Sequence, residues 1–255
     1  MTSYIDVKNL AKSFNNNKVL EDVSFTMRKG TSLALVGPSA AGKTVLLKCM
    51  LGLHDFDHGD VVIDGVNMRD ASHADRDQLM RHIGVLFQQN ALFDSQTIWE
   101  NVSFRLLGEH KLPRKKARDR AIDLLQQVGL GADVAMLYPA DLSGGMQKRV
   151  GLARAIAAEP DILILDDPTA GLDPILAHTI DILIDKIVQD KGVTAIAITG
   201  EMANIHKRYR NLALLHDGII RWCGATSDIK DAHNDYLNQM VNGLAEGPIK
   251  MRLRN

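Results

Sequence analysis

A chain of 255 residues, 45% of them hydrophobic, is long enough to bury a core as one large domain or two small ones. Its 30 lysines and arginines nearly cancel 31 aspartates and glutamates, leaving a net charge of -1. No global field therefore draws it onto nucleic acid or anionic lipid, and any polyanion must be held locally.

Cys49 and Cys223 exclude a disulfide framework and suit a reducing compartment. The opening "MTSYIDVKNLAKSF" has no apolar signal core, and no apolar run approaches the roughly 20 residues that span a bilayer, so the expectation is a cytosolic chain. Short β-rich runs, "YIDVKNL", "VLEDVSFTM" and "TSLALVG", fill the first 37 residues, and the third leads through a glycine-rich loop into the helical "KTVLLKCMLGL". "DVVIDG" and "IGVLFQ" read as strands. Residues 97–130 then turn charged and helix-favouring, with "RKKARDRAIDLLQQVG" amphipathic. The remainder reads as the helix 145–158, the buried strand "DILILD", a helix over 176–190, the strand "VTAIAI", two short strands "LALLHDG" and "IIRWCG", and a short helix near 234–242. Alternating strands and helices predict a largely parallel sheet with helices on both faces.

Residues 37–44, "GPSAAGKT", match G-x-x-x-x-G-K-[ST] and stand where that motif belongs, between a buried strand and a helix. Gly37 and Gly42 permit the tight backbone path, Pro38, Ser39, Ala40 and Ala41 form the loop, and the helix from Lys43 presents its positive end to phosphate. Lys43 is expected on the β- and γ-phosphates and the Thr44 hydroxyl on a magnesium ion, with Val45 beside them. Downstream, "ILILDD" is an apolar strand that delivers a carboxylate at its C-terminal end. Asp166 is the candidate magnesium ligand there, where on its own it would read as an N-cap or turn residue.

"LSGGMQKRVGLARAIAAEPDILILDDPTAGLDP" resembles the signature, helix and Walker B block of ABC-transporter ATPases, and the resemblance runs from about residue 4 to residue 228. It implies a P-loop NTPase fold: a RecA-like α/β core over 1–90 and 155–230 that includes an antiparallel β subdomain, a helical signature subdomain over 91–154, and a C-terminal extension over 231–255. It makes Leu142, Ser143, Gly144, Gly145 and Met146 the signature loop that closes on the γ-phosphate held by a second chain. It makes Gln88 the Q-loop residue at the metal and the attacking water, Asp173 the D-loop aspartate and Phe14 the aromatic on adenine. Read by themselves, Gln88 is also an ordinary strand-end amide, Phe14 a core or surface aromatic, and Asp173 a helix N-cap.

Within the family, "VLFQQNALFDSQTIWENV" and "PTAGLDPI" look most like the ATPase of Mla/Mce-type phospholipid transporters. That likeness implies ATP and Mg2+ as cofactors, a pair of ATPase chains, a multi-span permease, and lipid-binding and small regulatory subunits, at the cytoplasmic face of an inner membrane. No nucleic-acid partner is expected. An importer ATPase for a small solute, one half of a heterodimeric pair, and a soluble ABC regulatory protein are the alternatives. Leu92, Phe93, Ile98 and Trp99 either meet the permease or pack the start of a helix. Lys111, Arg114, Lys115, Lys116, Arg118 and Arg120 either form a solvated helix face or approach lipid headgroups, and Lys250, Arg252 and Arg254 end a mobile tail.

Two positions depart from the family pattern. Asp167 stands where a glutamate usually polarises the attacking water, and one methylene fewer withdraws its oxygens by about 1.5 Å. Gly200 stands at the usual switch histidine; Glu201 beside it has the wrong charge for a phosphate sensor, and His206 falls six residues later. The expectation is intact nucleotide binding and dimer closure with slow hydrolysis.

Overall fold

The computed structural model describes residues 3–109, 111–202 and 205–250; Arg252 and Arg254 of the basic tail lie outside the described residues. The chain divides into two compact units, Met1–Leu79 with Ile196–Asn255, and Met80–Ala195.

The first unit begins with β1 (Ile5–Phe14), β2 (Asn17–Met27) and β3 (Ser32–Val36), followed by α1 (Lys43–Met50), β4 (His58–Ile63), β5 (Val66–Asn67) and α2 (His73–Met80). β1 pairs antiparallel with β2, Ile5 opposite Met27 and Phe14 opposite Asn17, and its other edge takes β4 with Ile5 opposite Ile63. The inward residues Ile5, Val7, Leu10, Leu20, Val23, Val61 and Ile63 are all buried and form one side of the core.

The second unit holds β6 (Ile83–Leu86), α3 (Ile98–Gly108), α4 (Arg114–Gln127), α5 (Gly144–Ile156), β7 (Ile162–Asp166) and α6 (Pro174–Lys191). β6 and β7 run parallel, Ile83 opposite Ile162 and Leu86 opposite Leu165. α5 lies directly on them. A Cβ on Gly84 would come 2.2 Å from the Ala155 carbonyl oxygen, and one on Gly151 would meet the Leu86 side chain at 2.8 Å, so these glycines set the helix-to-strand distance. α3 opens on a capping box in which Thr97 and Glu100 serve each other's backbone. Of the basic residues at the front of α4, Arg114 pairs with Glu100 at 2.7 Å and Arg120 with Glu159 at 2.9 Å.

The chain re-enters the first unit within β8 (Thr194–Ile198) and adds α7 (Ile205–Arg208), β9 (Asn211–His216), β10 (Ile219–Ala225) and α8 (Asp235–Asn242). β3 pairs parallel with β9 and β9 antiparallel with β10, giving the order β5-β4-β1-β2-β10-β9-β3 in this unit. The sheet here is mixed, not largely parallel. Asn15–Asn16, Asp64–Gly65 and Asp217–Gly218, all at positive φ, close tight hairpins, and a hairpin can join only antiparallel strands. The stretch after α8 is anchored: the Gln239 side chain accepts from the Ile249 N–H at 2.7 Å and donates to the Ile249 carbonyl at 2.9 Å.

Candidate functional site

In the first unit, β3 is buried along its whole length and hands the chain to the loop 37–42. Gly37 has φ 150, and a Cβ there would lie 2.1 Å from the Leu215 carbonyl oxygen; Gly42 has φ 97, and its Cβ would press on Leu20 at 2.9 Å. No other residue fits either place. Between them Pro38 is half-buried, Ser39 and Ala40 form an exposed crest, Ala40 is left-handed at φ 62, and Ala41 turns inward. α1 starts at Lys43 with Gly42 as its N-cap, no side-chain hydrogen bond at the cap and no acidic residue in the first turn. The positive end of the helix, with no carboxylate of its own in the first turn, suits an anion. The Lys43 ammonium folds over the loop and donates to the Gly37 and Pro38 carbonyls, each at 2.8 Å. Thr44 and Val45 follow it, half-buried. Phe14 ends β1 with 39% of its surface exposed, edge-on to His54 at 5.4 Å between centroids and with the Lys12 ammonium 5.0 Å from its ring.

Gly200, at the end of β8, is exposed, and a Cβ there would meet nothing within 4 Å. Glu201 is paired with Arg208 at 3.1 Å and its N–H is held by the Thr199 hydroxyl at 3.1 Å; His206 is exposed on α7.

In the second unit, the apolar strand β7 ends on buried Asp166, and Asp167 follows in the left-handed region at φ 57. The loop then turns with the Ala170 N–H on the Asp167 carbonyl at 3.3 Å. Asp173 caps α6, its carboxylate accepting from the Ile175 and Leu176 N–H groups at 3.1 and 3.0 Å. Leu142 is buried and anchors the signature loop, while exposed Ser143 caps α5 by accepting the Met146 N–H at 3.3 Å. α5 therefore begins at Gly144, one residue earlier than its sequence pattern suggests. Gly145 and Met146 complete its first turn, which carries no acidic residue. Gln88 is exposed just beyond β6, and Asn90 and Ala91 after it are left-handed at φ 60 and 49.

The helix α5 carries three cations that the motif reading does not single out. Lys148 donates to the carbonyls of Asp167 and Ala170, Arg149 to that of Gly129 and Arg154 to those of Asn90 and Ala91, all at 2.7 to 2.8 Å. Burial pulls Lys148 and Arg154 below their usual pKa ranges; for Lys148 the nearby Asp167 and Asp166 carboxylates pull the other way. The visible signal was a set of charges inside the otherwise apolar "KRVGLARAIAA". Of the four apolar residues after Gln88, Ile98 and Trp99 are buried, with Arg114 over the Trp99 ring at 5.0 Å, so this part of the stretch packs a helix. Phe93 is different: it is 40% exposed and lies against Phe104, itself 45% exposed, at 4.7 Å between centroids.

A protein-family model described as ABC transporter matches residues 20–170, more than half of the chain. The chain belongs to the ABC transporter family. It is 34% identical over 247 residues to the probable ribonucleotide transport ATP-binding protein mkl of Mycobacterium leprae (strain TN), covering 97% of this chain and 71% of that one. It is 30% identical over 252 residues to the intermembrane phospholipid transport system ATP-binding protein MlaF of Escherichia coli (strain K12), covering 99% of this chain and 93% of that one. Among solved structures, the dimeric post-hydrolysis state of the ATP-binding cassette MJ0796 bound to ADP and Pi superposes with a TM-score of 0.82 at 28% identity, covering 87% of this chain and 98% of that one. This ABC ATPase has the P-loop NTPase fold with a RecA-like core, an antiparallel β subdomain and a helical insert, and it is the ATP-binding, ATP-hydrolysing subunit of a transporter. Among the described residues no helix is long and apolar enough to cross a membrane.

Proposed function

We propose that this ABC ATPase powers movement of phospholipid between bacterial membranes, working as a pair of identical chains beneath a multi-span permease at the cytoplasmic face of the inner membrane. The observation that carries the cargo is the match to the phospholipid-transport ATPase along nearly the full length of both chains, residues beyond 230 included. Lys43 and the N–H groups at the head of α1 take the β- and γ-phosphates, and Phe14 takes adenine. Thr44, Asp166 and Gln88 are the candidate magnesium ligands: a hydroxyl, a carboxylate and an amide oxygen are the hard donors magnesium prefers. When bound, magnesium neutralises charge on the phosphates. Asp167 and Gln88 orient and polarise water. Ser143, Gly144 and Gly145, at the first turn of α5, receive the γ-phosphate of nucleotide on the second chain, with Asp173 near the junction.

A small-solute importer is the second reading, favoured by the likeness to a protein named for ribonucleotide transport. Purifying the complex from native membranes through this chain decides between them: phospholipid bound to the multi-span subunit is the expected result, and a lipid-free complex stimulated by a soluble substrate contradicts it. Lipid-binding and small regulatory subunits are expected in the same preparation.

Phe93 is assigned to the permease contact, because with Phe104 it keeps an apolar pair exposed just after the Q-loop. Phe93→Glu is expected to separate the complex, read by co-purification, while affinity for a fluorescent ATP analogue stays within about twofold. A complex that holds together removes Phe93 from the interface.

A further inference from the structure

We infer that Lys148 is a positioning residue for hydrolysis, which fixes the backbone that carries Asp167 and ties it to the signature end of α5. The inference rests on the reading of Asp167 as the residue that polarises water. Lys148 is 7% exposed, yet among the described residues its ammonium meets no carboxylate within ion-pair distance; it donates to the carbonyl oxygens of Asp167 and Ala170, each at 2.8 Å. These two carbonyls bound the turn closed by the Ala170 N–H on the Asp167 carbonyl, so the cation clamps the turn from both ends.

Burying a lysine costs free energy unless its protons find partners, and charge-assisted bonds to two carbonyls provide them. Asp167 itself sits at φ 57, a conformation that a non-glycine residue keeps only when its surroundings hold it. Lys148 holds its carbonyl at 2.8 Å. It lies five residues beyond Ser143 on the same helix, and Ser143 is that helix's cap. A load placed on the first turn of α5 by nucleotide on a second chain therefore reaches the turn of Asp167 through about one and a half helical turns of rigid backbone. The ammonium also leaves positive charge near both carboxylates without occupying either.

The test uses the purified complex with its permease and compares Lys148→Met, Lys148→Gln and Lys148→Arg. Methionine keeps the length and removes the donors; glutamine serves in its place should the methionine variant fail to fold. Folding is checked by binding of a fluorescent ATP analogue. We expect kcat to fall about tenfold to a hundredfold in Lys148→Met, and at least about fivefold in Lys148→Gln, with KM for ATP within about twofold. Lys148→Arg keeps charge and donors and is expected within about threefold of the parent. In an Asp167→Asn background Lys148→Met should add little, because both changes act on one step.

A folded Lys148→Met or Lys148→Gln variant with parental kcat overturns the inference. So does a loss shared equally between kcat and affinity, or a full second loss in the Asp167→Asn background. Lys43→Ala, measured alongside, keeps the two claims apart: if it leaves ATP binding intact, the site reading fails; if it abolishes binding while Lys148→Met is inert, only the role of Lys148 fails.

Discussion

Lys43→Ala is expected to abolish measurable binding of a fluorescent ATP analogue to the isolated chain, a loss of at least about a hundredfold. The Lys43 ammonium already lies over the loop, held at 2.8 Å by the Gly37 and Pro38 carbonyls, so it needs little reorganisation to meet phosphate. Charge-assisted hydrogen bonds contribute about 1.5–3 kcal/mol each. Two of them to phosphate oxygens, about 3–6 kcal/mol, correspond to roughly a hundredfold to a little over ten-thousandfold in affinity. Alanine also leaves the Gly37 and Pro38 carbonyls without this donor. Unchanged affinity in a folded variant would remove nucleotide from this loop and with it the rest of the site.

Asp167→Glu should raise kcat of the reconstituted complex by about tenfold to a hundredfold, or roughly 1.4–2.7 kcal/mol of barrier. A base must come within about 3.2 Å of the proton it takes. Asp167 starts about 1.5 Å short of a glutamate, and its backbone has little freedom to make up the distance. The Asp167 carbonyl is gripped by Lys148 at 2.8 Å and by the Ala170 N–H at 3.3 Å. The gain has a local cost. At φ 57 aspartate is better tolerated than glutamate, so the variant should lose up to about 1 kcal/mol of stability, seen as a modest fall in melting temperature. Adding Gly200→His should raise the rate further: a Cβ at Gly200 meets nothing within 4 Å, so the backbone there accepts a side chain. Glu201 beside it is paired with Arg208. Parental kcat in a folded Asp167→Glu variant would mean that Asp167 already reaches the water.

Much of this was legible in the residues because glycine and charge are specific at tight turns. "GPSAAGKT" needs its two glycines where a Cβ would meet Leu215 and Leu20, and in "LSGGM" a Cβ on Gly145 would come 3.1 Å from the Leu172 side chain. The antiparallel hairpins were also written, as "DG" at Asp64–Gly65 and Asp217–Gly218, but alternation of strands and helices outweighed them and suggested too parallel a sheet. Trp99 looked like a docking aromatic because sequence spacing does not tell which side of α3 faces inward; packing puts it at 6% exposure. The carbonyl clamps of Lys148 and Arg154 were hidden for another reason. Their partners are backbone atoms 19 or more residues away, which no side-chain motif encodes.

Light scattering of the purified, unmodified chain at saturating Mg-ATP tests the central claim, intact closure with slow chemistry, most directly. The parts that closure is proposed to use are Lys43, the first turn of α1 and the Ser143-capped first turn of α5. The account predicts that a dimer accumulates with Mg-ATP, dissociates with ADP or on chelation of magnesium, and fails to form in Ser143→Arg, whose own nucleotide binding stays within about twofold of the parent. A chain that remains monomeric at saturating Mg-ATP, or a Ser143→Arg dimer as stable as the parent, would contradict it.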